Sequence, residues 1–380
     1  LEESFRTGLV WELEDAAWVE AHAGTPDDQP GEGGNFAADA KLGYAGIGQR
    51  FPHRLPSPRA LRASPFGDEA LFRAAVAALD SEAAGRRPTL LALSLSAHDL
   101  IGHLFGPDSW EAWDELHRLD GMLGRFLAEL DRRLGERNYA VVLAADHGSI
   151  HMPEACGGAG AGLGLGMDRW QRPCKSDGHR LLQDRPSARP TGGDTVPGEV
   201  NVELVELLER LAAEVPGGKR EWIRGMADPY VYLSAEARAP ANRRRLLELL
   251  QSRRLPGVRR VVDPLALGPC PPILASGTDE SEDALLCRSV VPGAGGDLYL
   301  VPEPGNFFDP RLERGCGSSH GSPYLYDRTV PLLVRAPGRV KPRVVEGPVP
   351  YSSFTRTAAA LLGISPPRDA APAPELLEGR

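Results

Sequence analysis

The stretch Tyr-Ala-Val-Val-Leu-Ala-Ala-Asp-His-Gly, residues 139–148, decides the predicted fold. Its first seven residues form a short apolar run, which is typical of a buried strand. An acid and an imidazole, Asp146 and His147, follow that strand directly. Open α/β sheets bind ligands beyond the carboxyl ends of their strands, so this is where a functional group is expected.

The segments before this stretch indicate a layered α/β domain. Helical spacing of apolar residues covers 67–80, and a second apolar run at 89–96 predicts another buried strand. Asp108 and Ser109 are suited to cap a helix that runs to about Leu134. The order helix, strand, helix, strand predicts a largely parallel sheet with helices on both faces. The predicted buried face of the long helix consists of Trp110, Trp113, Leu116, Leu119, Leu123, Phe126, Leu127 and Leu130.

The second half of the chain reads as a smaller α+β cap inserted into this sheet. Its pattern predicts helices at 200–215 and 240–254, and strands at 229–233, 258–262, 284–290 and 297–301. A core strand at 330–335 and a final helix at 352–362 follow. We therefore predict three sections. They are a first part of the core at 1–155, a Gly-rich insertion with the cap at 156–300, and the last part of the core at 301–380.

Composition narrows the function classes. The 380 residues are 42% hydrophobic and 25% charged, which is typical of a soluble globular protein and excludes a disordered chain. A formal net charge of −9 argues against a surface that binds nucleic acid or an anionic membrane. No apolar run approaches the roughly 18 residues of a membrane span. The five cysteines are an odd number without metal-type spacing, and their pairing stays open.

Three short segments hold the candidate chemistry. Asp99 and His103 are four residues apart, so one helical turn brings them together. Asp146 and His147 follow the second apolar run, and His320 is followed by a glycine ahead of the core strand at 330–335. Each segment alone is a weak signal. Together, two carboxylates and three imidazoles at strand ends predict a divalent-metal site, because these are ligands of catalytic zinc.

The motifs resemble those of the alkaline phosphatase superfamily. They read Asp99-x-x-x-His103, Ala145-Asp146-His147-Gly148 and Gly317-x-x-His320-Gly321-Ser322-Pro323-Tyr324. The nearest branch contains type I phosphodiesterases, nucleotide pyrophosphatases and zinc-dependent bacterial alkaline phosphatases. The similarity extends from about residue 50 to about residue 365. It implies an alkaline phosphatase-like three-layer fold.

The resemblance also implies roles for the five residues. Asp99, His103 and His320 match the ligands of one zinc, and Asp146 and His147 match two ligands of a second. A complete enzyme of this kind holds two Zn²⁺ ions and hydrolyses small phosphoesters. The metals polarise the phosphoryl oxygen and stabilise the attacking and leaving oxygens. A periplasmic or secreted location is the habit of the family.

The chain departs from the family pattern near its beginning. The remaining Asp of the second zinc site and the Thr or Ser nucleophile have no counterpart here, so both are expected upstream of residue 1. The sequence thus resembles the carboxyl-terminal part of such an enzyme, without its first strands. Two alternatives stay open: a sulfatase or phosphomutase of the same superfamily, and a non-catalytic metal-binding remnant. The oligomeric state is not predicted.

Overall fold

The computed structural model of the chain describes residues 8–23, 44, 46–81, 88–149, 200–271, 281–291, 295–303, 307–308, 319–345 and 347–368. Within these ranges the strands are β1 Val10–Trp11, β2 His53–Arg54, β3 Val141–Ala144, β4 Ile223–Ala227, β5 Tyr230–Leu233, β6 Val258–Val262, β7 Leu298–Pro302 and β8 Leu332–Arg335. The helices are α1 Ala16–Ala23, α2 Pro58–Arg62, α3 Pro65–Ser81, α4 Ala97–Phe105, α5 Trp110–Leu134, α6 Val200–Glu214, α7 Ala235–Arg238, α8 Pro240–Ser252, α9 Glu282–Ser289, α10 Leu325–Arg328 and α11 Ser353–Leu362.

Helix α5 begins as the sequence predicts but buries a different face in its first turns. The Ser109 hydroxyl accepts a hydrogen bond from the Ala112 N–H at 3.1 Å and caps the helix. Leu116, predicted to be buried, is 44% exposed, whereas Glu111, Asp114 and Glu115 are buried. Distant groups bind Glu111 and Asp114, whereas the buried Glu115 carboxylate has no hydrogen-bond partner among the described residues.

Side-chain contacts of Trp11 and His53 with buried acids hold the amino-terminal segment against α5. The Trp11 indole N–H donates to Asp114 at 2.6 Å, and Arg118 donates to the same carboxylate at 2.7 Å. His53 lies 2.9 Å from Glu111, and both side chains are fully buried. His53 is thus surrounded by structural partners.

Strand β3 does not pair as predicted. Every strand pairing among the described residues is antiparallel, and β3 pairs with β8 rather than with a parallel neighbour. The predicted strand at 89–96 is wrong: residues 88–96 have no regular secondary structure and belong to no sheet of the described chain. Leu90 is 72% exposed there, whereas Leu93 and Leu95 of the same run pack against the core beside Phe126.

The cap is an antiparallel sheet of four strands in the order β4-β5-β7-β6. It packs with α6 and α8 around a core that includes Leu208, Trp222, Val231 and Leu300. The predictions for β5, β6, β7, α6 and α8 agree with the structure within about two residues. Strand β7 crosses residue 300, where we placed a section boundary, and the three-section division remains a prediction.

The predicted strand at 284–290 is also wrong, because this segment forms α9. The Ser281 hydroxyl accepts from the Ala284 N–H at 3.3 Å, and two acids occupy the first turn, which together start a helix. Cys287 on α9 forms a disulfide with Cys270. Two of the five cysteines, whose pairing the sequence leaves open, are thus paired with each other.

The remaining predictions concern the Gly-rich insertion and membrane-spanning helices. The Gly-rich insertion that begins at residue 156 lies outside the described residues. No helix of the described ranges is both long and apolar enough to cross a bilayer.

Candidate metal centre

Helix α4 presents the first two predicted ligands on one face. Asp68, a buried residue of α3, accepts a hydrogen bond from the Ala97 N–H at 3.3 Å and so anchors the start of α4. Asp99 and His103 are one turn apart, and the His103 Nε2 atom lies 3.3 Å from the Asp99 Oδ1 atom. The i, i+4 spacing read from the sequence therefore produces the expected contact.

The loop after β3 brings His147 to the same carboxylate. The His147 Nε2 atom lies 3.5 Å from the Asp99 Oδ1 atom. Gly148 allows this approach, because a Cβ built on it would lie 2.2 Å from the Tyr326 carbonyl oxygen. The Gly148 N–H also donates to the Asp327 carbonyl at 2.8 Å. The glycine of the Asp-His-Gly motif is thus needed for close packing.

His320 completes the cluster from the far end of the chain. Its Nε2 atom lies 3.6 Å from the Asp99 Oδ1 atom. The His320 ring stacks on the His147 ring with a centroid separation of 3.3 Å. One ligand atom from each of Asp99, His103 and His320 lies within 4.8 Å of the others.

Asp146 is the predicted ligand that the structure does not bring into this group. Its side chain is 85% exposed, and its Oδ1 atom lies 3.7 Å from the His147 Nε2 atom. It therefore lies at the rim of the cluster, whereas Asp99 is at the centre with three imidazoles around it.

The electrostatics favour the protonation states that bind a metal. Burial acts to raise the pKa of Asp99, but the hydrogen bond from His103 and the three imidazoles outweigh it and hold the pKa below its ordinary value. Burial, with the neighbouring His147 and His103, lowers the pKa of His320 to about 4. An ionised carboxylate and a neutral imidazole are the ligating forms.

The donor set fits zinc. Asp99, His103 and His320 supply one carboxylate oxygen and two imidazole nitrogens, a combination found in tetrahedral sites that keep a position open. The three groups are partly buried. These residues can therefore hold a divalent ion.

The cap reaches the cluster through the segment after His320. A small cavity beside His320 is lined by Asp228 and Pro229 of the cap and by Tyr326 and Asp327. Arg259 of β6 donates to the Tyr324 hydroxyl at 2.8 Å. Nothing in the sequence signals that this segment meets the cap.

Residues 22–216, just over half of the chain, match the family described as type I phosphodiesterase / nucleotide pyrophosphatase. The chain is 28% identical over 307 residues to alkaline phosphatase PhoK of Sphingomonas sp, a match that covers 79% of this chain and 48% of PhoK. It is 40% identical over 93 residues to alkaline phosphatase PafA of Elizabethkingia meningoseptica, covering 24% of this chain and 17% of PafA.

A solved structure shows the fold. The crystal structure of wild-type alkaline phosphatase PafA superposes with a TM-score of 0.64 at 21% identity, covering 87% of this chain and 57% of that one. The predicted alkaline phosphatase-like α/β fold is thereby confirmed. Two of these matches cover most of this chain, one to PhoK and one to the PafA structure. In both, the chain spans only about half the length of the relative.

Proposed function

Because the chain belongs to the type I phosphodiesterase / nucleotide pyrophosphatase family, we propose that it forms the metal-binding part of a phosphoester hydrolase. One observation supports this most directly. The Asp99 carboxylate lies 3.3 to 3.6 Å from the Nε2 atoms of His103, His147 and His320, which come from three separate segments. Nothing local in the sequence requires this convergence.

The proposal assigns one Zn²⁺ to Asp99, His103 and His320, and assigns Asp146 and His147 to a second. When bound, such ions withdraw charge from a phosphoryl group and lower the pKa of an attacking oxygen. The chain's own residues orient the ions: α4 fixes Asp99 and His103, and Gly148 lets the His147 loop approach. Attack on phosphorus is assigned to no residue of this chain.

The proposed substrate is a small phosphoester, and the proposed location is periplasmic or secreted. The Cys270–Cys287 disulfide supports that location, because disulfides persist in oxidising compartments. Acidic net charge does not oppose binding of an anionic ester when the ester is held by cations at the cluster.

The test is metal analysis of the purified protein together with His320→Ala, His147→Ala and a control, His22→Ala. His22 lies on α1 and stacks on Trp18, outside the cluster. We expect about one zinc per chain in the wild type and in His22→Ala, and none in His320→Ala. An absence of zinc in the wild type would refute the site.

Activity is measured alongside with p-nitrophenyl phosphate and bis-p-nitrophenyl phosphate. Zinc binding without turnover supports a metal-binding part that needs a nucleophile from elsewhere. Turnover with about two zincs per chain would place a nucleophile within these residues, contrary to the proposal. p-Nitrophenyl sulfate as a third substrate separates a phosphatase from a sulfatase.

A further inference from the structure

Asp327 is placed between the two loops that carry His147 and His320. It belongs to α10 and is 5% exposed. Its Oδ2 atom accepts hydrogen bonds from the Ser322 backbone N–H at 2.8 Å and from the Ser322 hydroxyl at 2.6 Å. Its backbone carbonyl accepts from the Gly148 N–H at 2.8 Å. One residue therefore holds both loops, since Ser322 is two positions from His320 and Gly148 directly follows His147.

The second carboxylate oxygen makes Asp327 costly to bury. Its Oδ1 atom is buried and has no hydrogen-bond partner among the described residues. Asp327 and His320 line the same small cavity, together with Asp228, Pro229 and Phe307. Leaving a buried carboxylate oxygen without a hydrogen bond disfavours folding. The contribution of Asp327 that offsets this cost is the connection it makes between the two loops.

We propose that Asp327 is a positioning residue for the zinc centre, one that sets the separation of His147 and His320. This inference rests on the proposed function. Two donors of Ser322 meet a single carboxylate oxygen, and hydrogen bonds to an ionised acceptor are shorter and stronger than neutral ones. The His320 loop is therefore fixed through its backbone, and the His147 loop is fixed to the same helix at the Asp327 carbonyl.

The test compares Asp327→Ala and Asp327→Asn with the wild type by two readouts. Zinc affinity is measured by competition with a chromophoric chelator, and the site geometry is followed by the visible absorption of the Co²⁺-loaded protein. Loss of groups that orient metal ligands weakens metal binding about 10- to 100-fold. We expect Asp327→Ala to fall in that range with an altered Co²⁺ spectrum. We expect a smaller loss for Asp327→Asn, which keeps an acceptor oxygen but no charge.

Asp297→Ala is the matched control. The Asp297 carboxylate also accepts a backbone N–H, from Leu233 at 2.7 Å, but in the cap sheet. Its loss is expected to lower the Tm and to leave zinc affinity and the Co²⁺ spectrum unchanged. Thermal unfolding of every variant separates lost stability from lost positioning.

The outcomes distinguish this inference from the proposed function. Zinc binding by the wild type but not by His320→Ala, with wild-type affinity and spectrum in Asp327→Asn, would overturn the role of Asp327 alone. The same holds if Asp297→Ala weakens zinc binding as much as Asp327→Ala. No zinc binding by the wild type would overturn the proposed function and this inference with it. If Asp327→Ala does not fold, Asp327→Asn decides.

Discussion

Replacing Gly148 by alanine tests how tightly the His147 loop is packed. The new Cβ would lie 2.2 Å from the Tyr326 carbonyl oxygen and 3.2 Å from that of Thr329, whereas real Cβ atoms stay beyond about 3.0 Å. The obstructing atoms are backbone, so the loop itself must move by roughly 1 Å. A displacement of that size in a positioned group can cost about 100-fold in activity.

The energetic cost follows from two effects. Forcing a methyl group into filled space costs about 1–3 kcal/mol. Weakening the hydrogen bond from the Gly148 N–H to the Asp327 carbonyl adds about 0.5–1.5 kcal/mol. We therefore expect Gly148→Ala to lose about 2–4 kcal/mol of unfolding free energy in denaturant titrations, and to bind zinc at least about 10-fold more weakly.

Gly124→Ala is the matched control for this substitution. Gly124 lies within α5, and a Cβ there meets no atom within 4 Å. Alanine should stabilise the helix by about 0.5–1 kcal/mol and leave zinc binding unchanged. Wild-type zinc affinity in Gly148→Ala would refute the packing argument, because the loop would then accommodate the methyl group without moving His147.

Two further predictions concern stability. Burial, followed by the neighbouring Asp68 and Asp114, raises the pKa of Glu115 from 4.5 to about 9. The stability that its bound proton provides is full below pH 4.5 and is lost as the pH rises towards 9. Glu115→Gln should therefore be more stable than the wild type by a few kcal/mol at pH 8, with a gap that closes towards pH 4.5. A gap independent of pH in denaturant titrations would show that Glu115 is not the titrating group. Separately, replacing both Cys270 and Cys287 by serine opens a loop with a sequence separation of 17. This should cost about 3 kcal/mol of unfolding free energy with unchanged zinc affinity, and a loss of zinc would link the disulfide to the metal centre.

Local pattern was sufficient for several helices and strands and for the candidate residues that meet at Asp99. The Ser109 cap and apolar spacing located α5, and short runs rich in Val and Leu located β6 and β7 within the cap. The candidate ligands could be found because Asp99 and His147 each follow an apolar run, although only the run before His147 forms a strand of the described chain.

What failed depended on distant partners. The run at 89–96 is apolar enough for a strand, but a strand also needs a neighbour, and periodicity does not reveal one. Two of the three buried acids of α5 have partners 58 and 103 residues away, His53 for Glu111 and Trp11 for Asp114. The helix at 282–289 is a different case, because its signals were present in the sequence. The Ser281 cap and the acids after it favour a helix more strongly than the β-branched residues at the end of the segment favour a strand.

The distance along the chain between the ligands sets the order in which the site can form. Strand β3 pairs with β8, and His320 arrives only with the segment that leads into β8. The cap sheet closes over much shorter loops, so it can fold while the chain is still being synthesised, and long-range closure comes later. A nascent chain that ends before residue 320 carries Asp99, His103, Asp146 and His147 but lacks one member of the Asp99 cluster. The proposed metal site is therefore complete only once the segments around β3 and β8 have met.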